Sequence, residues 1–462
     1  MEKITRKAKF HEVLRYGFGG IGSNIAFMLV MAYLMFFYTD IFGINAAAVG
    51  GLFLVTRIVD AVTDPLMGMI ADRTKSRFGK FRVWIIIGAP LLGVLVAMMF
   101  SAPNLSPTGK LVYVYVTYIL YSLISTMVNI PYHSLTPVLS EDPDQRTVIA
   151  TAKQLLGQFG IAFVTIGAVP ITLALGGDAR AWQIYGIISG LLIIISFYTC
   201  ASGAKEHDVS NIEVETSDQI TSNEEAITLK KQFALIFKNR ALLMLMIAFG
   251  TDMIAFAGAN AVNIYYFTYA VKRPELIAVV GMFGLFVGVP MTFTIPALSK
   301  RFGKKRLFII ASSALIIIAS SLFFIPFEAT NLIVVQAAIL AAVSPFTGVI
   351  GWAMLADCVE YGEWVTGVRG EGTVSSQLTF INKLGMALGG MLAGVMLSAV
   401  GYVAGVDQTQ EVLKAIVGIK ALLPALGYVC SVIAMIFYPI TKEFYYTMIE
   451  ENKKNRLAKE VN

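Results

Sequence analysis

Residues 46–82 read AAAVGGLFLVTRIVDAVTDPLMGMIADRTKSRFGKFR. The first 26 positions, 46–71, form an apolar run long enough to cross a hydrocarbon core, which takes about 20 residues of helix. Three charges interrupt it, Arg57, Asp60 and Asp64. A basic loop then follows, with Arg73, Lys75, Arg77, Lys80 and Arg82. The run fixes a membrane helix, the loop fixes which side it ends on, and the charges inside mark the place where chemistry is expected.

Eleven further runs resemble it, near 14–40, 83–101, 111–139, 151–175, 182–202, 241–270, 276–299, 307–326, 331–356, 373–401 and 416–440. The whole chain of 462 residues is 56% hydrophobic and 14% charged. Soluble domains carry about 25% charged residues, so this much apolar sequence has too little polar surface to cover it. The runs are too long and too continuous for the alternating strands of a membrane barrel. Helices satisfy each backbone N–H and C=O within their own segment. An all-α integral membrane protein of about twelve transmembrane helices is predicted. The first run lacks a short apolar core ending in small residues and reads as an uncleaved helix.

The net charge of +6 is distributed as membrane topology requires rather than as a nucleic-acid surface. Basic residues crowd before the first run, after the second and eighth, and in the tail, which places both termini in the cytoplasm. Cys200, Cys358 and Cys430 lie in or beside apolar runs and form no metal-ligand or disulfide spacing. No phosphate-cradling glycine loop occurs. An enzyme, a cofactor or an obligatory protein partner is not implied.

The longest polar stretch, 203–240, divides the chain. The expected organisation is a six-helix bundle over 1–202, a cytoplasmic linker over 203–240, a second bundle over 241–440 and a cytoplasmic tail over 441–462. Arg77-Phe78-Gly79-Lys80 is echoed by Arg301-Phe302-Gly303-Lys304, each after the second run of its half. A parallel repeat of two six-helix bundles is the architecture of the major facilitator fold, with the solute site between the bundles.

Charges within a membrane helix cost roughly 2.5–3.5 kcal/mol each on insertion scales, and usually serve a site. Arg57, Asp60 and Asp64 are three and four residues apart and share one helical face. Two carboxylates a turn apart, beside the hydroxyl of Thr63, suit a small hard cation such as sodium or a proton. The simpler reading, an Arg57–Asp60 structural pair, leaves Asp64 without a task. In the fourth run Asn129 and His133 share a face and offer hydrogen bonds to a sugar, or glue between helices. Lys383 lies deep in the eleventh run and needs a counter-charge, for which Asp60 and Asp64 are candidates. Asp252, in the seventh, is a further intramembrane acid. Arg146, Asp357, Glu360, Glu363 and Arg369 gather at the cytoplasmic ends of the runs, where a network of pairs would act as a gate.

These segments resemble the glycoside–pentoside–hexuronide:cation symporters, the branch of the major facilitator superfamily that includes melibiose permease. The resemblance runs through Arg57-Ile58-Val59-Asp60-Ala61-Val62-Thr63-Asp64-Pro65, Ser76 to Arg82, Asn129-Ile130-Pro131-Tyr132, Asp357 to Glu363, Gly367-Val368-Arg369 and Lys383. It implies a cation site at Asp60, Asp64, Thr63 and Thr126, and solute contacts from Asn24, Asn129 and Lys153, with Lys383 between the two. Trp352-Ala353 and Tyr361-Gly362-Glu363 look closest to glucuronide and xyloside transporters, which adds Trp352. Melibiose permease has an amide at Thr63 and carboxylates at Asn24 and Asn129. Sodium and proton therefore both stay open as coupling ion, and the loss of acids beside lysines suits a carboxylated sugar. The implied activity is secondary active symport, by alternating access, of a glycoside, pentoside or uronide across a bacterial-type inner membrane. A lipid transporter on the same fold would instead need an apolar, laterally open site. A non-transporting sugar sensor would need an output domain.

Overall fold

In the computed structural model, residues 8–140, 143–208, 238–367 and 371–461 are described. They form helices and loops, and among them no strand occurs. The helices are α1 (Phe10–Leu29), α2 (Ala46–Arg73), α3 (Arg82–Met99), α4 (Pro107–Leu139), α5 (Pro143–Ala174) and α6 (Ala179–Gly203). After the central stretch come α7 (Arg240–Tyr265), α8 (Leu276–Thr292), α9 (Ile295–Phe302), α10 (Lys304–Ser321) and α11 (Thr330–Thr366). The last are α12 (Glu371–Ala399), α13 (Gln410–Ile436) and α14 (Lys442–Val461). Ten spans are straight enough to count singly, and two bent pairs bring the number to 12. One bend lies within α2, the other of 47° between α8 and α9. The predicted all-helical membrane architecture is the one observed.

Local signals set the helix ends. Asn45 caps α2 by accepting the Ala47 N–H, and Asp178 caps α6 by accepting the Ala181 N–H at 2.9 Å. Ser106 accepts the Gly109 N–H at the start of α4, with Pro107 as its first residue. The cap of α3 comes from far away: Asp208, just after α6, accepts backbone N–H groups of Lys80, Phe81 and Arg82 at 3.1, 2.8 and 2.7 Å. Gly79 makes this possible, because its φ is +101° and a Cβ there would overlap Asp208. The echo of this loop, Gly303, instead lies against Lys442 at the head of α14.

The chain forms two compact units. The first takes in residues 1–214, 263–282 and 394–412; the second takes in 215–262, 283–393 and 413–462. In the first, α1 and α5 touch through small residues: a Cβ on Gly20 or Gly160 would overlap the backbone of Lys153 or Ile21. Without a hydrophobic drive between helices in lipid, such close backbone approach supplies the packing. Tyr33, Phe36, Phe37 and Phe100 surround Trp182 at 5.6–6.3 Å between ring centroids. The second unit has its own core of Phe249, Phe308, Phe346, Met354, Leu378 and Met435. Outward faces stay apolar, as in the stripe Ile87, Leu91, Val94 and Met98 along α3. Such a stripe is what lipid solvates.

A candidate cation and solute site on α1, α2, α4 and α5

The acids of α2 meet hydroxyls of α4. Ser122 donates to Asp60 Oδ1, and Thr126 donates to Asp64 Oδ1 at 2.8 Å. Ser122 and Thr126 are one turn apart, as are Asp60 and Asp64, so two helical faces match rung by rung. Asp60 is buried, and its second oxygen takes the Arg57 guanidinium at 2.8 Å. The simple ion pair and the second, differently served carboxylate therefore coexist. The Thr63 hydroxyl is buried and has no hydrogen-bond partner among the described residues. Carboxylates and hydroxyls are the oxygen donors that a hard cation takes.

One to two turns further along α4 lies a second polar group. Asn129 donates to the Ser125 carbonyl at 2.9 Å and accepts from Ser23 of α1 at 2.7 Å. Asn24 lies over Gly157 of α5, where a Cβ would overlap its amide. Lys153 of α5 lies 2.6 Å from His133 Nδ1 and 4.9 Å from the centroid of the Tyr132 ring. A lysine ammonium has only donors, so Nδ1 accepts and the imidazole proton sits on Nε2. Among the described residues no carboxylate pairs with Lys153. Tyr132 itself is fixed by Tyr16, whose hydroxyl donates to the Tyr132 carbonyl at 3.0 Å. These side chains hold a cation, a histidine and two amides against α1, α4 and α5 of one unit.

The remaining expected residues, Arg146 apart, belong to the second unit. Trp352 is half-exposed and edge-on to Phe249 at 5.6 Å. Lys383 lies at mid-length of α12. Asp357 is buried and pairs with Lys304 at 2.6 Å, the last residue of the repeated Arg-Phe-Gly-Lys motif. Glu360 accepts from Asn452 of α14 at 3.3 Å, and Glu363 stands one turn on in α11. Asp252 of α7 accepts from Thr347 at 3.1 Å. Arg369 and the Arg146 side chain fall outside the described residues. Ser122, Ser23 and Lys420 were not singled out from the sequence. Ser122 was accessible, since it sits four residues before Thr126 on the same face, and Lys420 is a charge inside an apolar run.

Asp60 and Asp64 on α2 and Lys153 on α5 thus lie within helices apolar enough to cross a membrane. The chain belongs to the MFS/sugar transport protein family, whose sequence pattern matches residues 15–442. It is 31% identical to the inner membrane symporter YicJ of Escherichia coli (strain K12), over 95% of this chain and 94% of the relative. It is 32% identical to the isoprimeverose transporter of Lactiplantibacillus pentosus, over 93% of this chain and 89% of the relative. Among solved structures, the nucleoside transporter NupG matches with a TM-score of 0.64 at 12% identity, over 94% of this chain and 100% of NupG. That likeness is one of fold. The protein is a multi-pass transporter, as the sequence reading expected, and its relatives are transporters rather than enzymes.

Proposed function

We propose that this transporter is a symporter carrying a glycoside, pentoside or uronide together with sodium or a proton, with both termini in the cytoplasm. The observation that carries the reading is the matched pairing of Asp60 with Ser122 and Asp64 with Thr126. Arg57 pairs with Asp60, and the coupling cation is served chiefly by the second acid. That cation binds at Asp64, Thr126 and the open Thr63 hydroxyl, with Asp60 as the adjoining acid. The solute binds beside it at Asn24, Asn129, His133 and Lys153; Trp352 and Lys383 are further solute-binding residues that the family resemblance implies. The carboxylate-free Lys153 supports a solute that brings its own negative charge, such as a uronide. Each ligand then raises the other's affinity by the same factor, as linkage requires. Asp357, Glu360, Glu363, Arg146 and Arg369 serve as the cytoplasmic gate.

The test is uptake of labelled glucuronides, xylosides and galactosides into vesicles, with sodium and proton gradients imposed separately. One gradient is expected to drive accumulation. Asp64→Asn is expected to abolish that accumulation while solute exchange persists, because asparagine still accepts from Thr126. Uphill uptake by Asp64→Asn at the native rate would overturn the cation assignment.

A further inference from the structure

Beyond the cation and solute sites, a second polar constellation stands at the opposite end of α1 from the N-terminus. The helix finishes there in π-helical turns, Val30–Leu34 and Phe37–Ile41, which carry Thr39 and Asp40. Two other segments of the first unit converge on this carboxylate. Tyr265 ends α7 and Tyr269 lies in the π-turn Tyr266–Ala270 that follows it, while Tyr402 and Gly405 follow α12.

The Tyr269 and Tyr402 hydroxyls both donate to Asp40 Oδ1. Thr39 donates to Asp40 Oδ2 at 2.6 Å, and the Tyr265 hydroxyl reaches Thr39 Oγ1 at 2.7 Å. The Gly405 N–H donates to the Tyr269 hydroxyl at 3.2 Å. Ring contacts tie the donors together, with Tyr402 edge-on to Tyr265 at 5.3 Å and to Tyr269 at 5.6 Å. One carboxylate thus gathers hydroxyls from residues 229 and 362 positions away in sequence, besides that of Thr39.

Small residues bring the same segments close. A Cβ on Gly394 would overlap Met35 of α1 and the Ala46 carbonyl of α2, and one on Gly281 would press on Thr165 of α5 at 3.0 Å. Ser398 Oγ lies 3.5 Å from Asn45 Oδ1. Phe36 also packs edge-on against Tyr265 at 5.6 Å, so the contact is part apolar and part polar. The polar links are neutral donors on one anion, which water can replace when the segments part. A contact that must open and close repeatedly needs that property, and a buried hydrophobic seam lacks it.

We propose that Asp40, with Thr39, Tyr269 and Tyr402, is a latch that holds the distal ends of α1, α7 and α12 together and releases in each transport cycle. Hydrogen–deuterium exchange of the full chain in lipid nanodiscs, with no solute added, tests it through two variants. Asp40→Ala removes the acceptor, and the double variant Tyr269→Phe/Tyr402→Phe removes two donors while keeping both rings. Each is expected to raise amide exchange in residues 263–282 and 394–412 by about a hundredfold or more, the effect of losing two hydrogen bonds to a charged group. Exchange in α3 and α6 is expected to stay at the native level. Native exchange of the two segments in the double variant would overturn the proposal. So would a rise spread evenly through the molecule in the double variant, which marks a folding role. Because no solute or cation is used, this outcome is separate from the fate of the symport assignment.

Discussion

Removing the Arg57 guanidinium leaves Asp60 buried with a single hydroxyl donor, Ser122. At the observed 2.8 Å and an effective dielectric of about 20, the direct attraction is about 4–6 kcal/mol. Part of this repays the desolvation of both groups. The loss on breaking such a pair from one side is about 3–5 kcal/mol, most of it the cost of the stranded charge. Arg57→Gln is therefore expected to be destabilised by about 3–5 kcal/mol. In Arg57→Gln/Asp60→Asn no charge is stranded, and the asparagine still accepts from Ser122. The double variant is expected to recover most of the loss, with a coupling of about 2–4 kcal/mol in the double-mutant cycle. The assay is thermal unfolding of the four proteins in one detergent, followed by intrinsic fluorescence. A double variant at least as unstable as the two singles added together would refute the buried-pair reasoning.

Lys153→Gln is expected to weaken uptake of uronides about tenfold or more, one charge-assisted contact's worth, while neutral glycosides lose less. Equal losses in a paired uptake assay would remove the case for an anionic solute. At the loop before α3, Gly79→Ala is expected to cost about 1–3 kcal/mol through its positive φ and the overlap with Asp208. Asp208→Ala leaves three backbone N–H groups without their acceptor and is expected to lower the thermal midpoint similarly. Midpoints equal to the native value in both variants would show that this cap does not hold the loop.

The sequence by itself determined the solvent, the helix count and the family. Apolar runs of bilayer length leave one physical option, and charges placed inside them stand out because each is costly there. Asp60, Asp64, Asn129 and His133 were legible on that ground, since helical spacing is local and fixes which residues share a face. Thr126, Asn24 and Lys153, which the resemblance named, lie on α4, α1 and α5. Tertiary structure alone decided the partners. Nothing local says that Asp60 takes Arg57 and Ser122 at once, or that Asp64 accepts from Thr126. Equally, nothing near Asp208 in sequence says that it caps a helix 126 residues earlier, nor near Asp40 that two of its donors are Tyr269 and Tyr402. Periodicity fixes the face a side chain occupies within its own helix. Which face of which other helix meets it depends on close backbone approach at glycines scattered through the chain, and that is a property of the packed whole.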